Sequence, residues 1–211
     1  MVIITNQFVF IKTKKTGGTS VEMLLQQMLT NAPAQPINPK EIITSRGDII
    51  GYRLLDTVPT DQTYDDHMCL EKVAEIIGHE NISRRHLITC VRNPWDMVVS
   101  YYTFHTTQGL PHDKITKTFT EFVNDDLYDF NTPLTSLGAK QNACSLVVRM
   151  EHMRDDLHQI AQKLNWNIDL SYIPQANSSR HTHYRTYYTT STKERVAQIF
   201  AHIIAEFGYK F

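Results

Sequence analysis

The hydrophobic positions of the chain form short apolar runs that alternate with segments of helical periodicity. The segments 8–11, 86–91 and 146–150 have the length and composition of strands buried on both faces. After each of them, apolar residues recur at helical spacing, from about residues 19, 94 and 153 onward. Strands that alternate with helices predict an α/β fold with three layers and a central, mostly parallel sheet.

Further elements follow from turn and capping residues. Ile42-Ile43 and Ile49 to Leu55 flank Arg46-Gly47-Asp48, which predicts a hairpin. Asn93 is a good N-cap and Pro94 suits the first position of the following helix. Apolar periodicity also predicts helices over residues 68–77, 118–127 and 192–207, the last of them ended by Gly208.

Composition limits the classes of protein to which the chain can belong. It has 211 residues, 41% of them hydrophobic and 20% charged, which is typical of one folded domain over residues 1–211. These values exclude a disordered tail, a coiled coil and a collagen-like repeat. The formal charge of −1 argues against a nucleic-acid-binding protein, although a few local cations can still bind phosphate.

The cysteines and the N-terminal pattern bear on the compartment. The three cysteines lack metal-ligand spacing and stand beside apolar neighbours, which favours reduced core thiols and a reducing compartment. Thr5, Asn6 and Gln7 interrupt the first apolar stretch, so no signal peptide is predicted. No run approaches the roughly 18 apolar residues of a transmembrane helix. The sequence therefore predicts a soluble, cytoplasmic protein with no membrane partner.

The first candidate site is the segment Lys15-Thr16-Gly17-Gly18-Thr19-Ser20, between a predicted strand and a predicted helix. Glycines let successive N–H groups turn toward one anion, and the start of the helix adds the positive end of its dipole. A tight turn with a solvated lysine is the alternative. Lys15 precedes the glycines, whereas the ATP-binding loop needs its lysine after the second glycine of G-x-x-x-x-G-K-[ST]. The segment therefore suits an anion that needs no metal.

The second candidate site begins where the strand 86–91 ends. Arg92 leaves the carboxyl end of that strand, where ligands bind in open α/β sheets. Asp96 and Ser100 are four residues apart and share one helical face, so Arg92 and Ser100 can form a phosphate clamp. An Arg–Asp surface pair beside a capped helix is the alternative. Two anion sites that follow successive strands predict a ligand with two separated phosphates.

Together, the motifs KTGGTS and RNPWDMVVSYY resemble those of sulfotransferases that use 3′-phosphoadenosine 5′-phosphosulfate (PAPS). The first is similar to the loop that binds the 5′-phosphosulfate and the second to the 3′-phosphate motif of that family. The segment 148–157 is similar to the family's strand ending in Arg-x-Glu. The ending 187–211 resembles that of the carbohydrate (heparan-sulfate-type) branch. Within that branch, the chain is similar to soluble, bacterial-like members.

The resemblance implies a single α/β domain related to nucleotide kinases, and sulfuryl transfer from PAPS that requires no metal. It implies that Lys15 lies at the oxygen bridging phosphate and sulfate, where it stabilises the leaving group. It further implies that the 5′-phosphate is held by Thr16, Gly17, Gly18, Thr19 and Ser20. It implies that Arg92 and Ser100 hold the 3′-phosphate. Arg185, the weakest match, is an additional contact to one of the phosphates. The expected partner is a saccharide or hydroxylated small-molecule acceptor. The expected product is 3′-phosphoadenosine 5′-phosphate (PAP).

Enzymes of this type use a His or Glu to remove the acceptor proton, and His67 stands where the carbohydrate branch often has a histidine. Imidazole titrates near neutral pH, which suits a general base. Alternatively, Asp65 or Asp66 caps the next helix and His67 is only a residue of its first turn. Asp66 and Glu22 are the other candidates for the base.

Two other functions remain open from the sequence. One is a nucleotide or small-molecule kinase of related fold, against which the missing ATP-binding loop counts. The other is a non-catalytic nucleotide-binding module. The sequence predicts neither the acceptor's identity nor the oligomeric state.

Overall fold

The computed structural model describes residues 2–31, 42–43, 47–50, 66–107, 114–175 and 181–211. They fold into two compact units, one comprising Met1–Val91 with Asn131–Asn177 and the other Arg92–Phe130 with Ser178–Phe211. The expectation of one domain over residues 1–211 stays a prediction. Among the described residues, no helix has both the length and the apolar character needed to cross a membrane.

The first unit contains a mixed sheet. Its strands, in spatial order, are β3 (Ile42–Ile43), β4 (Ile49–Ile50), β1 (Ile3–Ile4), β2 (Phe8–Ile11), β5 (His86–Val91) and β6 (Leu146–Arg149). The three longest strands, β2, β5 and β6, are parallel, as predicted, and three two-residue strands extend the sheet in antiparallel pairs. Ile42 pairs with Ile50 in the predicted hairpin, whose residues 51–55 lie outside the described part of the chain.

Side-chain alternation along β2 shows why this strand is apolar throughout. Phe8 and Phe10 pack on one face of the sheet with α1 (Gly18–Thr30) and α7 (Met153–Leu164). Val9 and Ile11 pack on the opposite face with α2 (Leu70–Ile77) and with Ile82 of α3 (His79–Ser83). Successive strand residues point to opposite faces, so both faces of β2 are buried. The predicted three-layer α/β arrangement is confirmed.

The second unit is helical around an aromatic core. It contains α4 (Pro94–Thr107), α5 (Phe119–Glu121), α8 (Thr190–Ile199) and α9 (Ala201–Phe207). The short helix α6 (Thr132–Thr135) belongs to the first unit. The core of the second unit includes Trp95, Phe119, Phe122, Phe130 and Phe200.

Two helical predictions in this second unit need correction. The helix expected over residues 118–127 is a single α-turn followed by a π-helix over Phe122–Asp126, which buries both Phe122 and Val123. The helix expected over residues 192–207 begins earlier, at Thr190, because Thr189 and Thr192 cap it reciprocally. It is interrupted at the fully buried Phe200 and ends, as predicted, before Gly208 in a left-handed conformation.

All three cysteines are free thiols. Cys90 on β5 and Cys144 are buried, and burial raises the pKa of the Cys90 thiol far above its ordinary value. Cys69 is only half-buried and stands at the N-cap of α2, two residues after His67.

Candidate active site

The loop between β2 and α1 has the backbone shape of an anion site. Lys15 and Gly17 have positive φ values of 60° and 76°, so left-handed residues flank Thr16. Alternating left- and right-handed residues turn successive N–H groups toward one concave side, which favours a bound anion. A lysine in this region costs about 1–2 kcal/mol, which the surrounding fold must offset.

The first turn of α1 adds a second anion-binding feature. Its N-cap is Gly17, which has no side chain to cap it, and its first turn contains no acidic residue. Thr19 and Ser20 are buried in this turn. The dipole of the 13-residue helix therefore presents its positive end beside the loop without an acidic side chain opposing it.

Both glycines are required where they stand. A Cβ atom on Gly17 would lie 2.8 Å from Met153 Cε, and the positive φ disfavours any other residue. A Cβ atom on Gly18 would lie 2.9 Å from Lys12 Cγ, in the middle of a buried side chain. The second glycine therefore lets α1 approach the end of β2 closely.

Hydrogen bonds hold the loop to neighbouring segments of the first unit. The Thr13 hydroxyl donates to the Cys90 main-chain oxygen at 2.5 Å, which joins the end of β2 to β5. The side-chain amide of Asn131 accepts from the Lys14 N–H at 2.8 Å and donates to the Lys14 oxygen at 3.1 Å. The Thr16 hydroxyl donates to the Thr13 oxygen at 3.1 Å. The loop is thus held in one shape before any ligand binds.

The predicted base, His67, lies in the same unit and contacts the end of β2. Its Nδ1 is 2.9 Å from the Lys12 main-chain oxygen. A carbonyl oxygen can only accept, so Nδ1 carries the proton and Nε2 is the basic nitrogen of the neutral ring. Burial lowers the pKa of His67 to about 4, against the opposing effect of Asp66. The imidazole is therefore neutral and able to accept a proton at pH 7, but its pKa lies below the near-neutral value expected from the sequence.

The two alternative bases, Asp66 and Glu22, both pair with Lys12. Lys12 Nζ lies 2.7 Å from Asp66 Oδ1 and 3.1 Å from Glu22 Oε2. The Lys12 side chain is 7% exposed and that of Glu22 is fully buried. Although burial raises the pKa of Asp66, the positive charges around it, Lys12 among them, lower it below its usual range. The ion pairs favour the charged form of both carboxylates, and a carboxylate so stabilised is a weak base.

Arg92 and Ser100 lie in the second unit. Arg92 Nε and one terminal nitrogen lie 2.9 and 2.7 Å from Asp96 Oδ2. The Asn93 side chain accepts from the Trp95 N–H at 3.1 Å, which is the predicted cap of α4. Arg92 is 8% exposed and Ser100 is 1% exposed. Arg92 is therefore buried, whereas the Asp96 side chain that pairs with it is 25% exposed.

Arg185, the weakest candidate, lies exposed in a 3₁₀-helix over Tyr184–Tyr187. It donates to the Phe211 main-chain oxygen at 2.7 Å and stacks over the Phe211 ring at 5.7 Å. Within the described residues, these contacts orient the guanidinium toward Phe211. Its role at a phosphate stays a prediction.

The comparisons with known proteins decide the family. The sulfotransferase domain family matches residues 6–200, more than nine-tenths of the chain. The chain belongs to the sulfotransferase family. This sulfotransferase is similar to a mouse sulfotransferase crystallised in complex with PAP, with a TM-score of 0.52 and 14% sequence identity. The match covers 95% of this chain and 84% of the mouse chain, which shows the same fold. No curated protein sequence matches this sulfotransferase.

The enzyme is a PAPS-dependent sulfotransferase, and its residues fit that co-substrate. In the first unit, the loop of Lys15 and Gly17 has positive φ values that favour a bound anion. In the second unit, considered by itself, Arg92 is a buried cation. Among the described residues, no group of three or more His, Cys, Asp or Glu side chains could hold a metal ion.

Sequence reasoning missed three residues that support this site. Lys12 directly follows a buried strand, and this position is a signal that its charge needs a buried partner. Thr13 and Asn131 hold the loop through main-chain contacts. The contact of Asn131 spans 117 residues, and no local pattern could have indicated it.

Proposed function

We propose that this sulfotransferase transfers the sulfuryl group of PAPS to a hydroxyl or amine of a saccharide or small-molecule acceptor by in-line displacement. The observation that carries the proposal is the state of His67. Its Nδ1 donates to the Lys12 oxygen at 2.9 Å, so the neutral ring keeps Nε2 basic. This base and the anion-shaped loop of Lys15 and Gly17 belong to the same compact unit.

The proposed steps balance as follows. His67 Nε2 removes the proton of the acceptor hydroxyl while the acceptor oxygen forms a bond to sulfur. The bond between sulfur and the bridging oxygen breaks, and the electron pair stays on the 5′-phosphate of PAP. Lys15 stabilises the negative charge on that oxygen. A positioned base contributes about 10²–10⁴-fold to such a reaction, and positioning of the two reactants contributes further.

The proposal divides the binding of PAPS between two groups of residues. The loop residues Thr16, Gly17, Gly18, Thr19 and Ser20 bind the 5′-phosphate through N–H groups and hydroxyls. Arg92 and Ser100 bind the 3′-phosphate, with Arg185 as an additional contact. Support comes from the loop geometry, the start of α1 and the burial of Arg92. Because a buried guanidinium requires a compensating anion, Asp96 balances it when no phosphate is bound.

Two observations support a saccharide or similar acceptor. The ending 187–211 resembles that of the carbohydrate branch. The second unit also contains a cavity of about 300 Å³ with both aromatic and charged side chains, among them Tyr101, Phe122, Tyr128, Lys114 and Asp126. Ligand sites are commonly lined by aromatic rings and a few polar groups that fix orientation. The free cysteines favour a reducing compartment, so the proposal includes a cytoplasmic location.

Two measurements test the proposed function. Calorimetry should show tight binding of PAP and weak binding of ATP with Mg²⁺, and the reverse order would favour a kinase. PAPS carrying radiolabelled sulfate should then label at least one acceptor in a panel of saccharides and aromatic alcohols. PAP binding without transfer to any member of a broad panel would instead favour a nucleotide-binding module.

A further inference from the structure

The strongest unexplained feature of the first unit is a buried charge cluster formed by Lys12, Glu22 and Asp66, with His67 beside it. Lys12 follows β2 directly, Glu22 lies on α1, and Asp66 precedes α2. A buried lysine with two acidic partners is costly to desolvate and is weak evidence for stabilisation. The question is therefore what these charges do for the site.

We propose that Lys12 is a positioning residue that fixes the orientation and tautomer of His67 through both its main chain and its side chain. This inference rests on the proposed function of His67 as the base. The main-chain oxygen of Lys12 accepts a hydrogen bond from the Nδ1–H group of His67 at 2.9 Å, which leaves Nε2 as the basic nitrogen. The ammonium group of Lys12 holds the neighbouring residue Asp66 at 2.7 Å. One residue thus restrains two successive positions, 66 and 67.

The Asp66 carboxylate must be restrained for His67 to act. Asp66 Oδ2 lies 3.5 Å from His67 Nε2, the nitrogen that is proposed to accept the proton. At this distance the carboxylate can pair with Nε2 once that nitrogen is protonated. Were the carboxylate unrestrained, it could stabilise the protonated imidazolium, which cannot accept a proton. Lys12 draws the other oxygen, Oδ1, into an ion pair and adds a positive charge that disfavours protonation of His67.

Glu22 completes the arrangement from α1. Its carboxylate is fully buried and lies 3.1 Å from Lys12 Nζ, so it fixes the ammonium from the side of the phosphate loop's helix. The stem of Lys12 also packs where a Cβ on Gly18 would stand, at 2.9 Å from Lys12 Cγ. Lys12 therefore contacts both the start of α1, beside the loop of Lys15, and the segment of Asp66 and His67. A change in the position of Lys12 should alter both places.

The test measures the pKa and tautomer of His67 by NMR of ¹⁵N-labelled protein, without substrate. The sequence contains ten histidines, so the His67 signal is assigned by its loss in His67→Gln. Among the described residues, Lys12 and Asp66 are the charged groups whose effects on His67 are opposite in sign. Lys12→Met should raise the pKa of His67 by about one unit, and Asp66→Asn should lower it by a similar amount. Opposed shifts would show that both charged side chains act on His67, and the kcat of the variants then tests positioning.

A second variant controls for the possibility that Lys12→Met does not fold. Lys12→Met leaves Glu22 buried without its ammonium partner, so Lys12→Met with Glu22→Gln removes the uncompensated charge. The double variant should fold, retain the raised pKa of His67 and lose about tenfold or more in kcat with a small change in KM for PAPS. Lys12→Arg, which restores the charge, should recover part of the kcat and return the pKa of His67 toward its original value.

The outcomes separate this inference from the proposed function. An unchanged His67 pKa and an unchanged kcat in the folded double variant would overturn the role of the Lys12 side chain, even if sulfuryl transfer is measured. Conversely, the predicted shifts in a protein that transfers no sulfate would leave the role of Lys12 intact and reject the proposed function.

Discussion

The side-chain amide of Asn131 holds the peptide groups on both sides of Lys14, accepting from its N–H at 2.8 Å and donating to its oxygen at 3.1 Å. Asn131 is 9% exposed, so these bonds are shielded from water. The contact fixes the chain immediately before Lys15. It gives the loop between β2 and α1 a rigid attachment within the first unit.

Replacing Asn131 should therefore damage the loop as well as the fold. Asn131→Ala removes both partners of the Lys14 peptide groups and should lower the free energy of unfolding by about 1–3 kcal/mol. PAP affinity should fall by about tenfold, because the loop no longer has one shape. Urea unfolding and calorimetry with PAP measure the two effects. Asn167→Ala, at an exposed position of the same unit, is the matched control and should leave both unchanged.

Lys15 should matter for turnover far more than for folding. Its half-exposed side chain is proposed to stabilise the leaving oxygen, so Lys15→Met should lower kcat by about 10²–10³-fold. The control Lys163→Met removes an exposed lysine from α7 and should retain kcat. A kcat for Lys15→Met within threefold of the unmodified enzyme would remove Lys15 from the catalytic role.

If His67 is the base, as proposed, its lowered pKa should set the pH dependence of the reaction. Because burial lowers its pKa to about 4, the basic form persists down to about pH 5 and is lost as pH falls through 4. The pH dependence of kcat/KM gives the pKa values of groups in the free enzyme. Titration of His67 should therefore cause no change in kcat/KM between pH 7 and 5. His67→Ala should lower kcat far more than PAPS affinity. The exposed His79→Gln should keep the original profile, and a fall of kcat/KM already near pH 6.5 would contradict the assignment.

The same shift links His67 to stability. Its pKa is about 4 in the folded chain and 6.5 in the unfolded chain, so between these values the unfolded state binds more protons. Acidification from pH 6.5 toward 4 should therefore destabilise the protein by about 1–3 kcal/mol through this residue. Urea unfolding of the unmodified protein and of His67→Gln at pH 7.5, 6 and 5 measures the difference. A difference that does not change with pH would show that His67 is not held neutral.

Arg92 should distinguish nucleotides by their 3′-phosphate. Arg92→Ala should weaken PAP binding by about 10- to 100-fold, because a charged hydrogen-bond donor is lost. AMP, which lacks the 3′-phosphate, should lose less than twofold. Calorimetry with both nucleotides measures the difference, and Arg84→Ala, at an exposed position, serves as control. Equal losses for PAP and AMP would place Arg92 away from the 3′-phosphate.

The sequence predicted the parts of the fold that local patterns determine. The apolar run of β2, the two glycines and the periodic residues of α1 are consecutive, and each supports the next. The start of α4 was predictable in the same way, because Asn93 caps it and Pro94 fits its first position.

The predictions that were wrong or missing concern features that depend on contacts between distant residues. Apolar spacing over residues 118–127 does not distinguish an α-helix from a π-helix, and packing in the aromatic core decides the outcome. The interruption of the last helix falls at Phe200, whose ring lies 5.9 Å from that of Phe130. Lys12 and Asp66 are 54 residues apart, so their pairing could not be read from either segment alone.

The unequal exposure of the three thiols makes the protein convenient to label. Cys90 and Cys144 are buried, and the raised pKa of Cys90 keeps its reactive thiolate scarce, whereas Cys69 is partly accessible. A mild alkylating fluorophore should therefore react at Cys69 first, two residues from His67, without any cysteine having to be replaced. The native chain thus provides its own reporter of events around the base.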